Sequence, residues 1–110
     1  MNNLLIGIAS YYSIAGCLGC PAYFDQNGKY YLMNNGERFD DTKLTLALTP
    51  KEYRKYKNKF VRVTNLKNKK SVVAKVTDSG GFGKYHRVAD LSLATKNAIL
   101  CSDLCKVQIE

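Results

Sequence analysis

The sequence predicts an all-β fold, a small closed barrel of short strands, and three observations carry that expectation. Short apolar runs such as Phe60-Val61-Arg62-Val63-Thr64-Asn65 alternate in character residue by residue, which is the period of a half-buried strand. Glycine, asparagine and cysteine clusters punctuate these runs at short intervals. Helix start signals occur at only two places, Thr49 and Ser92, and both open segments too short for a helical bundle.

The elements follow in order. Leu4 to Tyr12 is rich in strand formers and ends at the Gly16 to Pro21 cluster. Lys29 to Met33 is flanked by Asn27-Gly28 and Asn34-Asn35-Gly36, so turn chemistry on both sides predicts a hairpin or wide turn. Leu44 to Leu48 reads as a strand. Thr49-Pro50-Lys51-Glu52 then supplies an N-cap, a proline at the first helical position and a capping-box glutamate, predicting a short helix to about Lys57. Phe60 to Asn65 and Ser71 to Thr77 should pair as a hairpin across the polar Asn65 to Lys70 connection. Asp78-Ser79-Gly80-Gly81-Phe82-Gly83 reads as a loop, because glycines so dense favour neither helix nor strand. Val88 to Leu91 is a short strand, Ser92 caps a helix ending near Leu100, and Lys106 to Ile109 closes the chain as a last strand. The total is about five to seven short strands and two short helices.

Composition sets the frame. The 110 residues suit one domain, with apolar residues at 45% and charged residues at 24%, the usage of a folded chain rather than a disordered one. No repeat, low-complexity tract or linker divides residues 1–110. A net charge of +8 should attract polyanions such as nucleic acid, anionic lipid or an anionic wall polymer, or simply keep the protein soluble. No RNA-reading aromatic motif or finger spacing is present, which argues against nucleic acid as a partner. Leu4 to Ile8 is too short to span a membrane, and no basic segment or cleavage pattern precedes it.

Cysteines occur as Cys17-x-x-Cys20 and Cys101-x-x-x-Cys105. They read as two disulfides, with one four-sulfur zinc site as the alternative. A bridge from one cluster to the other would close a long loop, but the spacing does not reveal the connectivity.

Six blocks taken in order resemble the RlpA-like (rare lipoprotein A) double-psi β-barrel domain. They are Gly7-Ile8-Ala9-Ser10-Tyr11-Tyr12, Asn35-Gly36-Glu37-Arg38-Phe39-Asp40, Leu44-Thr45-Leu46-Ala47, Val61-Arg62-Val63-Thr64-Asn65-Leu66, Ser71-Val72-Val73-Ala74-Lys75-Val76-Thr77-Asp78 and Val88-Ala89-Asp90-Leu91-Ser92. Expansins, barwin-like proteins and the lytic transglycosylase A domain share this barrel, and Asp78-Ser79-Gly80-Gly81 is similar to the last of these around its catalytic aspartate. The resemblance implies a six-stranded barrel with one or two short helices and a polysaccharide groove. It implies a secreted, cell-surface or periplasmic monomer acting on peptidoglycan or another wall polysaccharide, with no metal or cofactor. In the enzymatic members an acid protonates the glycosidic oxygen and the sugar's own 6-hydroxyl attacks, giving a 1,6-anhydro product. The alternative is a noncatalytic, expansin-like protein that binds or loosens the wall.

The resemblance puts the catalytic carboxylates on Asp78 and Glu37. Asp78 ends an apolar strand before a glycine loop, where partial burial would raise its pKa and keep a proton at hand. Glu37 follows a turn that can aim it across the groove to stabilise positive charge on the sugar, or is an exposed turn residue paired with a nearby cation. Asp90 either lines the groove, as in expansin relatives, or orders the first turn of the helix after it. Tyr11 and Tyr12 point to opposite sides of their strand, so one should face the core while the other stacks on a sugar or is itself buried. Gly80 and Gly81 leave backbone free to approach a sugar. Where the enzymatic pattern carries a histidine this chain has Leu48, and His86, the single histidine, stands in the loop beyond the glycines as a substitute or a bystander.

Overall fold

A computed structural model describes residues 5–13 and 32–110. Six strands form one closed barrel: β1 (Leu5–Tyr12), β2 (Thr45–Leu48), β3 (Phe60–Asn65), β4 (Ser71–Ser79), β5 (Arg87–Ser92) and β6 (Cys105–Ile109). Their order around the wall is β1-β5-β2-β4-β3-β6. The pairs β1/β5 and β2/β4 are parallel and the other four antiparallel, so the strands cross between the two halves of the chain rather than running up and down in sequence. Short helices α1 (Pro50–Tyr56) and α2 (Leu93–Ala98) link β2 to β3 and β5 to β6.

Alternation fills the barrel. Ala9, Leu46, Leu48, Val63, Val76, Leu91 and Val107 turn inward and are wholly buried, so each strand gives every second residue to one core. Closure leaves these six strands no free edge.

Two β-bulges break that alternation. Leu46 and Ala47 of β2 pair with Val76 and Asp78, leaving Thr77 as an extra residue in β4. Ile8 and Ala9 of β1 pair with Arg87 and Ala89, leaving Val88 extra in β5. An extra residue reverses the face taken by every side chain beyond it. Gly7 makes the second bulge possible, because a Cβ there would lie 2.5 Å from the Val88 Cγ1.

Several local expectations change. The segment read as a loop from Asp78 to Gly83 is strand through Ser79, since the ladder to β2 continues to Leu48, and then a 3₁₀ turn over Gly81–Tyr85. Thr49 occupies the N-cap position of α1 without a side-chain cap. Its methyl faces Gly83, and Glu52 reaches forward to Lys55 at 3.6 Å instead of back to the cap. Ser92 does cap α2, its hydroxyl accepting from the Thr95 N–H. The Asn34-Asn35-Gly36 turn is present, with Leu32 bridging Arg38 and Gly36 at φ 91°, where a glycine is at ease. Residues 29–31 of that aromatic run lie outside the described residues.

Cys101 and Cys105 form a disulfide within the C-terminal cluster. That bridge consumes two of the four sulfurs and overturns the zinc alternative, which needed all four as thiolates. It also closes a short loop between α2 and β6, not a long one between clusters. Cys17 and Cys20 lie outside the described residues.

Candidate active site

The two bulges build the site. Beyond them, Ser10, Asp90, Ala47 and Asp78 stand opposite one another on four adjacent strands, β1, β5, β2 and β4. Directly paired residues share a face. Their inward neighbours Ala9, Ala89, Leu46 and Val76 are core, so this row lies on the outer wall of the barrel. Asp78 and Asp90 thus flank the small Ala47, two strand spacings apart, roughly 10 Å between backbones.

Their environments differ. Asp78 is only 3% exposed. Its Oδ1 accepts from the backbone N–H groups of Asn34 and Ser79, both at 2.9 Å, and its Oδ2 accepts from the Tyr12 hydroxyl at 3.4 Å. Such donors hold a carboxylate in one orientation. Asp90 accepts from the Ser10 hydroxyl at 3.0 Å. Burial pushes its pKa up to about 6; the Ser10 bond and the Arg87 charge act against that rise, and the negative charge of Asp78 adds to it. Burial thus brings the Asp90 carboxyl closer to neutrality than an exposed aspartate.

A flap made by residues 33–39 covers one end of the row. The Asn35 N–H donates to the Thr77 carbonyl, and the Asn34 side-chain amide donates to the Ser79 hydroxyl at 2.6 Å, docking the flap onto the bulged end of β4. Met33, Phe39 and Tyr12 form a second apolar cluster beneath it. Tyr12 stacks on Phe39 with ring centroids 4.3 Å apart and is buried, so its ring face is not open to a sugar; the residue contributes its hydroxyl to Asp78. Tyr11 is half-buried, packs against the core and carries the Lys96 ammonium 4.7 Å over its ring.

Glu37 stands apart from the aspartates, exposed on the flap and paired with Lys75 at 3.0 Å. Hydrogen bonding to Lys75 and Asn35 holds its pKa below the usual carboxylate value, so it is ionised at neutral pH. Gly80 is extended, and a Cβ there would lie 2.9 Å from the Phe82 ring. Gly81 has open space where a Cβ would project. His86 ends the 3₁₀ turn in a left-handed conformation at φ 63°, exposed, next to Arg87. Leu48, at the position of the family histidine, is wholly buried in the core and pairs with Ala89, facing away from the aspartates.

Comparison with known proteins fixes the family. The chain is 34% identical over 92 residues to the protein named endolytic peptidoglycan transglycosylase RlpA of Escherichia coli K12, and equally to that of E. coli O157:H7. The match takes in 84% of this chain, which spans 24% of the length of those curated relatives. This chain is an RlpA-like double-psi β-barrel. The solved structure of an expansin from Clavibacter michiganensis has the same fold, with a TM-score of 0.66 at 19% identity over 98% of this chain and 50% of the expansin. No protein-family model matches the sequence.

The three carboxylates of this RlpA-like barrel are legible in the sequence, but the groups that hold them are not. Ser10 and Tyr12 lie in the first of the six blocks and Asn34 in a turn, but no local signal marks them as donors to an aspartate. Gly7, a glycine inside a strand, was the one visible sign that a bulge lay near.

Proposed function

We propose that this domain acts on the glycan backbone of peptidoglycan as a lytic transglycosylase, outside the cytoplasm. The observation that carries this reading is the pair Asp78 and Asp90 on one outer wall of the barrel, one carboxylate fixed by donors and the other with a pKa near 6. Asp90 gives its proton to the glycosidic oxygen as the bond to the anomeric carbon breaks. The 6-hydroxyl of the same sugar then attacks that carbon, and its proton returns to Asp90. No water enters, and the product is the 1,6-anhydro sugar. Asp78, held ionised in this scheme, offsets the positive charge that develops on the sugar ring. Glu37, ionised beside Lys75, adds negative charge at the rim, and the open side of Gly81 admits the chain of sugars.

The second reading is a noncatalytic wall-binding domain in which the same aspartates hydrogen-bond glycan hydroxyls. It is favoured by Leu48, which puts a core residue where the enzymatic pattern carries its histidine.

Incubating the protein with intact peptidoglycan and analysing released fragments by mass distinguishes the two. Anhydro-sugar products that disappear in both Asp78→Asn and Asp90→Asn support the enzyme. Sedimentation with the wall and no release by wild type supports the binder.

A further inference from the structure

The chain leaving α2 carries two leucines into water. Leu100 is 64% exposed and Leu104 47% exposed, on a loop closed by the Cys101–Cys105 disulfide. The bridged Cα atoms are 5.5 Å apart, so the two leucine Cα atoms, each one residue further on, lie within about 13 Å of each other. Leu100 is held there against a local cost. It stands in the left-handed region at φ 51°, where a helix ordinarily ends on glycine and a large side chain is disfavoured. The fold fixes that conformation: the Leu100 N–H donates to the Asn97 carbonyl, the Cys101 N–H to the Lys96 carbonyl, and the buried Asn65 amide to the Ile99 carbonyl at 3.0 Å. Core packing gives little return for this strain, because the side chain faces solvent.

Lysines crowd the same corner. The Leu66 N–H donates to the Lys106 carbonyl and the Asn68 side-chain amide to the Ile99 carbonyl at 3.1 Å, which seats the Asn65 to Lys70 turn against the disulfide loop. That turn brings Lys67, Lys69 and Lys70, and Lys106 follows the second cysteine. All four are exposed, and none has an ion-pair partner among the described residues. Across residues 65–70 and 99–106, Asp103 is the one acidic residue.

We propose that this corner docks on an anionic phospholipid bilayer, its lysines meeting headgroup phosphates while Leu100 and Leu104 enter the acyl boundary. Other occupants use only part of it. A second copy would set lysines against lysines, and a soluble polyanion would leave the leucines in water. The surface uses neither Asp78 nor Asp90, so it stands independently of the glycan chemistry proposed above.

Sedimentation of the whole chain with vesicles tests this, comparing phosphatidylglycerol mixed with phosphatidylcholine against phosphatidylcholine alone. Wild type should bind the mixed vesicles and leave the neutral ones. Lys67→Gln with Lys69→Gln should weaken that binding roughly 25-fold, about fivefold for each lysine at an anionic surface. Leu100→Gly with Leu104→Ser removes both apolar groups, and glycine suits the left-handed position, so this variant should keep its melting temperature yet bind roughly tenfold more weakly. If it does not fold, Leu104→Ser alone decides by the same comparison. Wild type that stays in solution with mixed vesicles, or binds both kinds equally, overturns the proposal. So does a folded leucine variant that binds as tightly as wild type, which would reduce the corner to a general polyanion site.

Discussion

Asp90 sits where ionisation costs stability. Its pKa rises from an ordinary 3.8 to about 6 in the folded chain, mainly through burial. Below the unfolded value both states hold the proton and the group is neutral to folding. As pH climbs through the folded value, the native state must carry a buried charge that the unfolded chain carries in water, and stability falls. Asp90→Asn removes that charge. Thermal melts should show the variant more stable than wild type at pH 8, by about 2–3 kcal/mol, and equal to it at pH 3.5. A gain that persists at pH 3.5 would mean that packing, not charge, is responsible. At this scale the sequence named Asp78, Asp90 and Glu37, because carboxylates at strand ends and turns can be read directly. It could not say how far the Asp90 pKa is raised, since that depends on the depth of burial, on Ser10 of β1 and on the folded placement of Arg87 at the start of the same strand.

At the scale of elements, the start of α2 is more than a cap. The Ser92 hydroxyl accepts from the Thr95 N–H and donates to the Lys43 carbonyl, while the Thr95 hydroxyl donates to the Thr45 carbonyl. One serine thus ties β5, α2 and the approach to β2 together. Ser92→Ala should cost about 2–3 kcal/mol, above the ~1 kcal/mol of an ordinary cap, because it strands buried polar groups as well. Urea titration measures it; a cost no larger than an exposed cap would show that the network relaxes. The Ser92 cap was legible because its signal is local. Thr49 stands at the expected N-cap position of α1, but the side-chain bond that goes with an equally good local signal is absent: its methyl faces Gly83 and Glu52 pairs with Lys55. The extension of β4 through Ser79 was hidden for a related reason: strand character there comes from pairing with Ala47 and Leu48, and the propensity of Asp78-Ser79 points the other way.

Across the whole molecule, a charge of +8 sits on a barrel whose candidate groove is lined by two aspartates. Binding to an anionic wall should therefore draw on cations outside the groove and weaken with salt. Sedimentation with purified wall at roughly 0.05 M and 0.5 M salt, where the Debye length shortens from about 14 Å to 4 Å, should show affinity falling for wild type and for Asp78→Asn alike. Binding insensitive to salt would assign it to the groove alone. By itself the sequence determined the strand content, the short helices and the residues able to do chemistry, because periodicity, capping and side-chain type act within a few positions along the chain. Only the tertiary structure decided that Asp78 and Asp90 share a face. That outcome depends on one extra residue in each of two strands, and a bulge exists only in relation to the strand beside it.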